Sequence, residues 1–299
     1  MSKRTLALLA AFGATTIYGL NHTIAKGVMP YYVQAFGFIM LRVGGAAILF
    51  WVLSFFRPAE TIDRKDWKVM LAATLLGMVI NMLSFFKGLS LSTPINSAVL
   101  VTITPIIVVL LSALFLKETM GWRKISGIGL GFVGALGLVL FGHEVRQDAP
   151  NIFLGNLLFI LNATSYGAYL IVVKSLIKKY SPITLMKWLF TLAFIINFPI
   201  TIVEFNQIKW EGMPIEIWGA IGFVIFGTTF LTYLFNGYAL TALKASSVGA
   251  FVYLQPLIGI LYAVFTGKDQ LSPVKIAGTI AVLVGVYLAT SKFQKEVSD

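Results

Sequence analysis

The sequence predicts an all-α membrane protein with ten transmembrane helices in two inverted five-helix repeats. The first observation is composition: of 299 residues, 58% are hydrophobic and 12% are charged, whereas soluble domains carry about 25% charged residues. The second is that the apolar residues form long runs, each close to the ~20 residues that cross the hydrocarbon core of a bilayer. The third is that the two halves of the chain share residues in a common register.

Ten such runs follow one another along the chain, separated by short loops. Most of the prolines and acidic residues lie at or near the breaks, and the polar stretches are too small to form domains. The opening segment MSKRTLALLAAFGA has the basic start and apolar centre of a signal peptide, but nine further runs favour an uncleaved first helix. The predicted spans are 5–25, 34–56, 67–86, 93–116, 121–141, 152–173, 182–203, 215–238, 246–266 and 274–291.

The distribution of lysine and arginine over the loops orients the chain. With the N-terminus inside, fifteen of these residues lie in inside segments and six in outside loops, while Arg42 and Lys187 lie within spans. Basic loops stay on the cytoplasmic side, so we expect a multi-pass protein of the cell (inner) membrane with both termini in the cytoplasm. The same bias explains the net charge of +11, and scattered basic residues form no nucleic-acid surface.

The two halves align without a gap over their most similar part. TPIIVVLLSALFLKE faces QPLIGILYAVFTGKD at a shift of 151 residues, and nearer the start of each half the shift is 148. Five spans per half invert the second copy relative to the first, which is typical of transporters whose halves rock around a central site. We therefore divide the chain into units 1–146 and 147–299. The matched pairs include Pro105 with Pro256, Glu118 with Asp269, Lys124 with Lys275, Tyr18 with Tyr166, and Lys26 with Lys174.

The order of these segments resembles a known family. YGLNHTIAKGVMP, the LR pair of the second span, FFKGLSLSTPINSAVLVTITPIIVVLLSALFLKE and LFNGYALTALKASSVGAFVYLQPLIGILYAVFTGKD are similar to EamA-type units of the drug/metabolite transporter superfamily. The resemblance covers nearly the whole chain. It implies ten helices, cytoplasmic termini, and export or exchange of a solute through a cavity lined by helices 1, 3, 4, 6, 8 and 9. Asp269 departs from the pattern because it is shorter than its counterpart Glu118, and we expect this to alter the packing of the outer loop.

Several spans carry polar and aromatic residues on one face. Asn162, Tyr166 and Tyr169 recur at i, i+4 and i+7, and residues at this spacing share a face of an α-helix. A polar side chain in hydrocarbon is costly unless it is paired or hydrated, so these groups either bond between helices or face a water-filled cavity. We expect the cavity. The predicted solute-binding residues are Asn21, Arg42, Asn81, Asn162, Tyr166, Thr232 and Tyr253.

The charged residues indicate which solutes would suit such a cavity. Arg42 lies well inside the second span, where both a helix–helix contact and an anion-facing position are open to it. The acidic residues all lie in loops, at helix ends or in the tail, and none is placed to bind a lipophilic cation or relay a proton. This favours a solute with a carboxylate or phosphate. His22 is interpreted as structural, and Lys26 is expected to extend to the lipid headgroups.

Two prolines occupy matching places in the fourth and ninth spans, at Pro105 and Pro256. Proline removes an intrahelical hydrogen-bond donor and can kink the helix. We expect both to act as hinges that govern rocking rather than solute binding.

The sequence lacks the patterns that other kinds of chemistry need. It contains no cysteine, and no nucleotide-binding loop, metalloprotease motif or catalytic triad spacing is present. We therefore expect no enzyme activity, no cofactor and no metal. The expected function is secondary transport, by alternating access, of a small polar metabolite such as an amino acid or related carboxylate. The alternatives are a passive channel and an intramembrane enzyme or lipid-handling protein. The expected partners are a small-molecule solute and the bilayer, with no nucleic acid, and a monomer is compatible with the sequence.

Overall fold

The computed structural model describes residues 2–116, 121–141, 147–240, 242, 251 and 254–290. Within these residues every regular element is a helix, as the sequence predicts. Of the predicted span 246–266, the structure describes residues 251 and 254–266. The α-helices, numbered in chain order, are α1 Lys3–Val28, α2 Ala35–Ser54, α3 Trp67–Thr74, α4 Asn81–Leu91, α5 Pro94–Leu100, α6 Thr104–Leu116, α7 Trp122–Phe141, α8 Ile152–Ile177, α9 Pro182–Asn206, α10 Ile215–Gly222, α11 Thr232–Leu240, α12 Leu254–Phe265 and α13 Pro273–Thr290.

Local signals in the sequence explain where several helices begin. A side-chain oxygen that accepts from a backbone N–H of the first turn stabilises a helix start, and proline fits the first position because its missing donor would be unpaired there. Pro94 and Pro182 open α5 and α9 in this way. The capping residues that accept such a bond are Ser2 before α1, Thr93 before α5, Asn151 before α8 and Ser181 before α9.

Five helical stretches of the described chain are long and apolar enough to cross a membrane, and shorter apolar helices accompany them. The five are Ala35–Ser54, Arg64–Leu91, Pro94–Leu111, Ile152–Ile177 and Pro182–Asn206. The predicted span 67–86 ends too early. The helix continues to Leu91, and the Lys87 ammonium lies 5.8 Å from the centre of the Phe36 ring.

Two of the helical stretches contain a π-helical segment, and the segments begin 148 residues apart. Leu75–Ile80 joins α3 to α4, and Phe223–Leu231 joins α10 to α11. A π-helix replaces the regular i→i+4 hydrogen bonds by i→i+5 bonds and is frequently found at functional sites. Hydroxyls bond to carbonyls within both segments: Ser165 donates to the Leu76 carbonyl at 2.5 Å, and Thr232 donates to the Thr228 carbonyl at 2.8 Å.

A short 3₁₀ segment, Val101–Ile103, separates α5 from α6, immediately before Pro105. Proline has no N–H to donate to the carbonyl four residues earlier. The Val101 carbonyl instead accepts from the backbone N–H of Thr104 and from its hydroxyl, the latter at 2.7 Å. The break in the α-helix is therefore a direct result of the proline.

The first helix of each half of the chain packs against helices of the other half. α1 packs along α11 and α12, whereas α8 packs along α4 and α6. We name these groups bundle A (α1, α10, α11 and α12) and bundle B (α3, α4, α5, α6 and α8). The pairs α2–α9 and α7–α13 lie beside them. In the second pair, a Cβ atom added to Gly285 would lie 2.4 Å from the Gly131 nitrogen, so only glycine permits this approach.

The ends of the helices define two faces of the molecule. The distal face holds the end of α1 at Val28 and the beginnings of α5 at Pro94 and α8 at Ile152. The proximal face holds the beginning of α1 at Lys3 and the end of α8 at Ile177. The space between the two bundles lies between these faces.

Candidate functional site

A cavity of about 700 Å³ lies between bundle A and bundle B. Its volume falls in the range of small-molecule sites, which is about 300–1,000 Å³. Side chains of α1, α4, α8 and both π-helical segments form most of its wall, with contributions from the 3₁₀ segment and from α2. The polar and aromatic residues on the wall are Thr15, Tyr18, Asn21, His22, Arg42, Asn81, Phe85, Thr102, Thr104, Asn162, Tyr166, Tyr169, Phe190, Thr228, Thr229, Asn236 and Gln255.

The structure brings most of the predicted site residues to this wall. The five residues on it are Asn21, Arg42, Asn81, Asn162 and Tyr166, together with the predicted hinge Pro105. Thr232 is fully buried behind the wall, where its hydroxyl lies 3.2 Å from the Tyr18 hydroxyl. Tyr253 lies outside the described residues. The second predicted hinge, Pro256, is buried in α12.

Asn81 and Asn162 join α4 to α8 through a reciprocal pair of hydrogen bonds. The side-chain Nδ2 of Asn162 donates to the backbone carbonyl of Asn81 at 2.9 Å, and the side-chain Nδ2 of Asn81 donates to the backbone carbonyl of Asn162 at 3.2 Å. These are the interhelical bonds that an asparagine in a membrane span can form instead of facing a solute. Both residues also line the cavity, so their bonds fix the position of the bundle B wall.

Asn21 and Thr229 are polar wall residues of a different kind. Asn21 is 5% exposed and Thr229 is 1% exposed. The Asn21 Oδ1 and the Thr229 Oγ1 form no hydrogen bond within the described part of the chain. Leaving a buried polar atom unpaired costs about 1–3 kcal/mol. Two such atoms beside one cavity are therefore candidates for contact with a solute.

Arg42 brings a positive charge from α2 to the wall. Its guanidinium carbon lies 5.7 Å from the centre of the Phe86 ring, within the range of a cation–π contact. The described wall residues include no aspartate or glutamate. The fixed charge of this part of the wall is therefore positive.

Tyrosines form the aromatic part of the wall. The rings of Tyr166 and Tyr169 stack with centroids 5.6 Å apart and an interplanar angle of 27°. Gly77 makes room for this pair, because a Cβ atom there would lie 2.4 Å from the Tyr169 ring. Tyr18, which matches Tyr166 in the sequence repeat, lines the cavity from α1. The structure thus places an aromatic and a cationic region on one wall.

Sequence reasoning underestimated His22. Its Nδ1 lies 2.8 Å from the Ser97 hydroxyl, and its ring meets the Phe85 ring edge-on at 5.6 Å. The structural interpretation is right about this hydrogen bond, but His22 also lines the cavity. The available signal was its spacing, because His22 follows Tyr18 by four residues and shares its helix face.

The prediction that Lys26 extends to the lipid headgroups is wrong. Lys26 is 5% exposed. Its ammonium donates to the carbonyls of Leu89 at 2.8 Å and Ser90 at 3.3 Å, and to the Asp148 carbonyl. These three carbonyl oxygens, two at the end of α4 and one in the α7–α8 connection, replace the water that the ammonium would otherwise need.

The family assignment follows from comparison with known proteins. The EamA-like transporter family matches residues 5–140 and 153–291, one match in each half of the chain. An uncharacterized transporter of Archaeoglobus fulgidus is 27% identical over 277 residues, covering 93% of this chain and 96% of the relative. The uncharacterized transporter YyaM of Bacillus subtilis is 22% identical over 282 residues, covering 93% and 91%.

Two further comparisons are more distant. A probable terminal-alkyne amino-acid exporter of Streptantibioticus cattleyicolor is 24% identical over 201 residues, covering 64% of this chain and 63% of the relative. A solved crystal structure aligns with a TM-score of 0.64 at 17% identity, covering 96% of this chain and 98% of the other, and shares the fold. The family match extends over most of the sequence and agrees with the all-helical fold and the central cavity. This chain belongs to the EamA-like transporter family.

Proposed function

We propose that the protein is a secondary transporter that exports or exchanges an amino acid or a related small carboxylate by alternating access. The observation that carries the proposal is the chemistry of the cavity wall. It combines the Arg42 guanidinium, the unpaired Asn21 oxygen and a tyrosine region, and its described residues include no carboxylate. The amino-acid exporter among the relatives supports the same solute class.

Each part of the wall suits one part of an amino acid. A guanidinium binds a carboxylate through two parallel hydrogen bonds. An amide oxygen such as Asn21 Oδ1 accepts from an ammonium group, and tyrosine ring faces attract the same cation. The rings of Tyr166 and Tyr169 also offer apolar surface to a side chain. A lipophilic cation would meet the positive charge of Arg42 with no described carboxylate to offset it.

The rival functions lack support from the described residues. A passive channel needs a continuous path, whereas hydrogen bonds such as that between His22 and Ser97 join the two bundles at the distal face. An enzyme needs a nucleophile beside a base or an acid/base pair. The His22–Ser97 pair is a Ser/His contact, but no carboxylate of the described wall orients the imidazole. A transporter remains the function that the site supports best.

Counterflow in liposomes tests the proposal directly. Purified protein is reconstituted with a high internal concentration of unlabelled amino acids, and uptake of a labelled amino acid is followed. We expect saturable, transient accumulation that unlabelled carboxylate solutes inhibit. Uptake without saturation or exchange would indicate a channel, and chemical conversion of the solute would indicate an enzyme. Either result would contradict the proposal.

Cysteine labelling tests the proposed orientation, in which the proximal face is cytoplasmic. The chain has no native cysteine. Thr61 and Gln147 are exposed and lie in the α2–α3 and α7–α8 connections, respectively. An impermeant maleimide should label Gln147→Cys in intact cells, and should label Thr61→Cys only after the membrane is permeabilised. The reverse pattern, or labelling of both in intact cells, would contradict the orientation.

Replacing Pro105 by alanine tests the proposed hinge. Alanine supplies an N–H for the Val101 carbonyl, so α-helix can extend through the 3₁₀ segment and stiffen the joint between α5 and α6. We expect the transport rate to fall about tenfold while solute affinity stays within about twofold, since conformational steps limit many such cycles. Pro199→Ala in α9 is the control, because Pro199 lies inside a helix outside the two bundles. Lost affinity at an unchanged rate would contradict the hinge.

A further inference from the structure

Within the described residues, three sets of hydrogen bonds connect bundle A, or the α12–α13 connection that follows it, to bundle B, and these three lie at the distal face. His22 of α1 bonds to Ser97 of α5. Lys26 of α1 bonds to the Leu89 and Ser90 carbonyls near the end of α4. The third set joins Asp269, in the connection between α12 and α13, to the backbone of α5 at Ile95. We call the boundary between the two bundles the seam.

Asp269 and Lys275 form the most buried charged part of this closure. The Ile95 backbone N–H donates to one carboxylate oxygen of Asp269 at 3.1 Å, and the Lys275 ammonium donates to the other at 2.9 Å. Neither side chain of this ion pair is exposed. Lys275 also donates to the Gln270 carbonyl at 3.0 Å. The ion pair thus belongs to the second half of the chain, while its bond to Ile95 reaches across to the first half.

The described bonds at the proximal face have a different arrangement. The Lys179 ammonium donates to Asp66 at 2.8 Å, and this bond raises the pKa of Lys179. Tyr180 also donates to Asp66 at 2.8 Å. These contacts join the beginning of α3 to the end of α8, and both helices belong to bundle B. They can therefore persist when the bundles separate.

The wall of the cavity and the sequence repeat show the same asymmetry. Asn236, in the middle of α11, and Gln255, in the first turn of α12, extend the wall toward the proximal ends of these helices. Lys174 matches Lys26 at the 148-residue shift, but it is exposed near the proximal end of α8, whereas Lys26 is buried among carbonyls. The bundles are thus held together at one end of the cavity and not, within the described residues, at the other.

We propose that Asp269, held in place by Lys275, is the latch of a distal gate: its bond to the Ile95 N–H keeps bundle A against bundle B until the solute site turns to the distal side. This inference rests on the proposed alternating access. Lys26 and His22 support the same closure from α1. Opening requires either exposing a buried ion pair or moving it intact with the α12–α13 connection. Because Lys275 and Asp269 both lie in the second half of the chain, breaking the bond to Ile95 leaves their ion pair intact and allows the second route.

The latch can be tested without any solute by measuring access to the cavity. Thr102 lies on the wall, and Thr102→Cys provides a labelling site in a chain with no native cysteine. An impermeant maleimide is applied to oriented vesicles from the distal side and, separately, from the proximal side. The parent carrying only Thr102→Cys should label faster from the proximal side, because the distal gate is closed.

The test variant removes the latch without leaving an isolated charge. Asp269→Asn alone would bury an unpaired lysine ammonium, which is strongly destabilising. The double change Asp269→Asn with Lys275→Met avoids this and still weakens the bond to Ile95. We expect distal labelling to become about tenfold faster and proximal labelling to slow, as the population shifts toward the distally open state.

The matched control is Asp66→Asn with Lys179→Met, which removes an ion pair within bundle B and should leave both labelling rates unchanged. Distal and proximal rates of the Asp269 variant within about twofold of the parent would overturn the latch. If that variant does not fold, Lys26→Met provides the same measurement, and unchanged rates there would overturn the closure. A shifted labelling ratio together with failed amino-acid counterflow would retain the latch and reject only the proposed solute.

Discussion

Asn21→Leu should abolish most transport while leaving the protein as stable as the parent or more so. The Asn21 Oδ1 has no hydrogen-bond partner within the described residues. Leucine therefore breaks no resting hydrogen bond of that oxygen, and removing a buried unpaired acceptor recovers about 1–3 kcal/mol. Transport should fall about tenfold or more, equivalent to at least ~1.4 kcal/mol of lost solute interaction. The measurements are counterflow rate and melting temperature in detergent.

Asn197→Leu is the matched control for this prediction. Asn197 is 1% exposed, both polar atoms of its side chain lack a partner within the described residues, and it lies in α9 away from the cavity wall. It should gain similar stability and keep normal transport. If Asn21→Leu and Tyr166→Leu both retain the parent's kinetics, the assignment of this cavity as the solute site is wrong.

Arg42→Ala should lower the binding affinity for solutes that carry a carboxylate much more than the affinity for neutral analogues. A hydrogen bond to a charged group contributes about 1.5–3 kcal/mol, so a lost guanidinium–carboxylate contact should raise the half-saturating concentration about ten- to hundredfold. The measurement is inhibition of counterflow by an amino acid and by the corresponding amide. Arg42→Lys should recover only part of the loss, since an ammonium cannot form two parallel bonds with the carboxylate.

Lys187→Ala is the control for a lost cation outside the cavity. The Lys187 ammonium lies 4.6 Å from the centre of the Trp51 ring and 5.7 Å from that of Trp188, and Lys187 is absent from the wall. Its replacement should affect all solutes equally. If Arg42→Ala lowers transport of the amino acid and its amide by the same factor, Arg42 supports the fold and does not bind the carboxylate.

The sequence predicted the helical spans because long apolar runs have few stable forms in a bilayer other than helices. It also predicted the face formed by Asn162, Tyr166 and Tyr169, since α8 is a regular α-helix and the spacing rule holds along it. For the eighth span, the sequence did not predict which residues line the cavity. There Thr228 and Thr229 line the cavity and Thr232 lies behind it. The π-helical segment Phe223–Leu231 changes the helical period before Thr232, and hydrophobic patterning at the α-helical period does not reveal that change.

The roles of the charged residues depended on contacts between distant parts of the chain. Lys26 is buried because the carbonyls of Leu89, Ser90 and Asp148 come together around it. Those carbonyls belong to the backbone. Every residue has a backbone carbonyl, so the residue types do not reveal which carbonyls come together in the fold. Asp269 was singled out only for its shorter side chain, whereas the structure places it against the Ile95 N–H across the seam between the bundles. Neither position follows from local periodicity.

The positive wall around Arg42 has a consequence for the driving force of transport. In the proposed cycle, in which the solute crosses alone, the charge moved in each cycle is that of the solute. A membrane potential of 100 mV contributes about 2.3 kcal/mol per elementary charge. In a cell that is negative inside, this voltage alone would support an outward gradient of about fiftyfold for a monoanion. A zwitterion that crosses alone would gain nothing from the voltage and would leave down its own concentration gradient or in exchange for another solute.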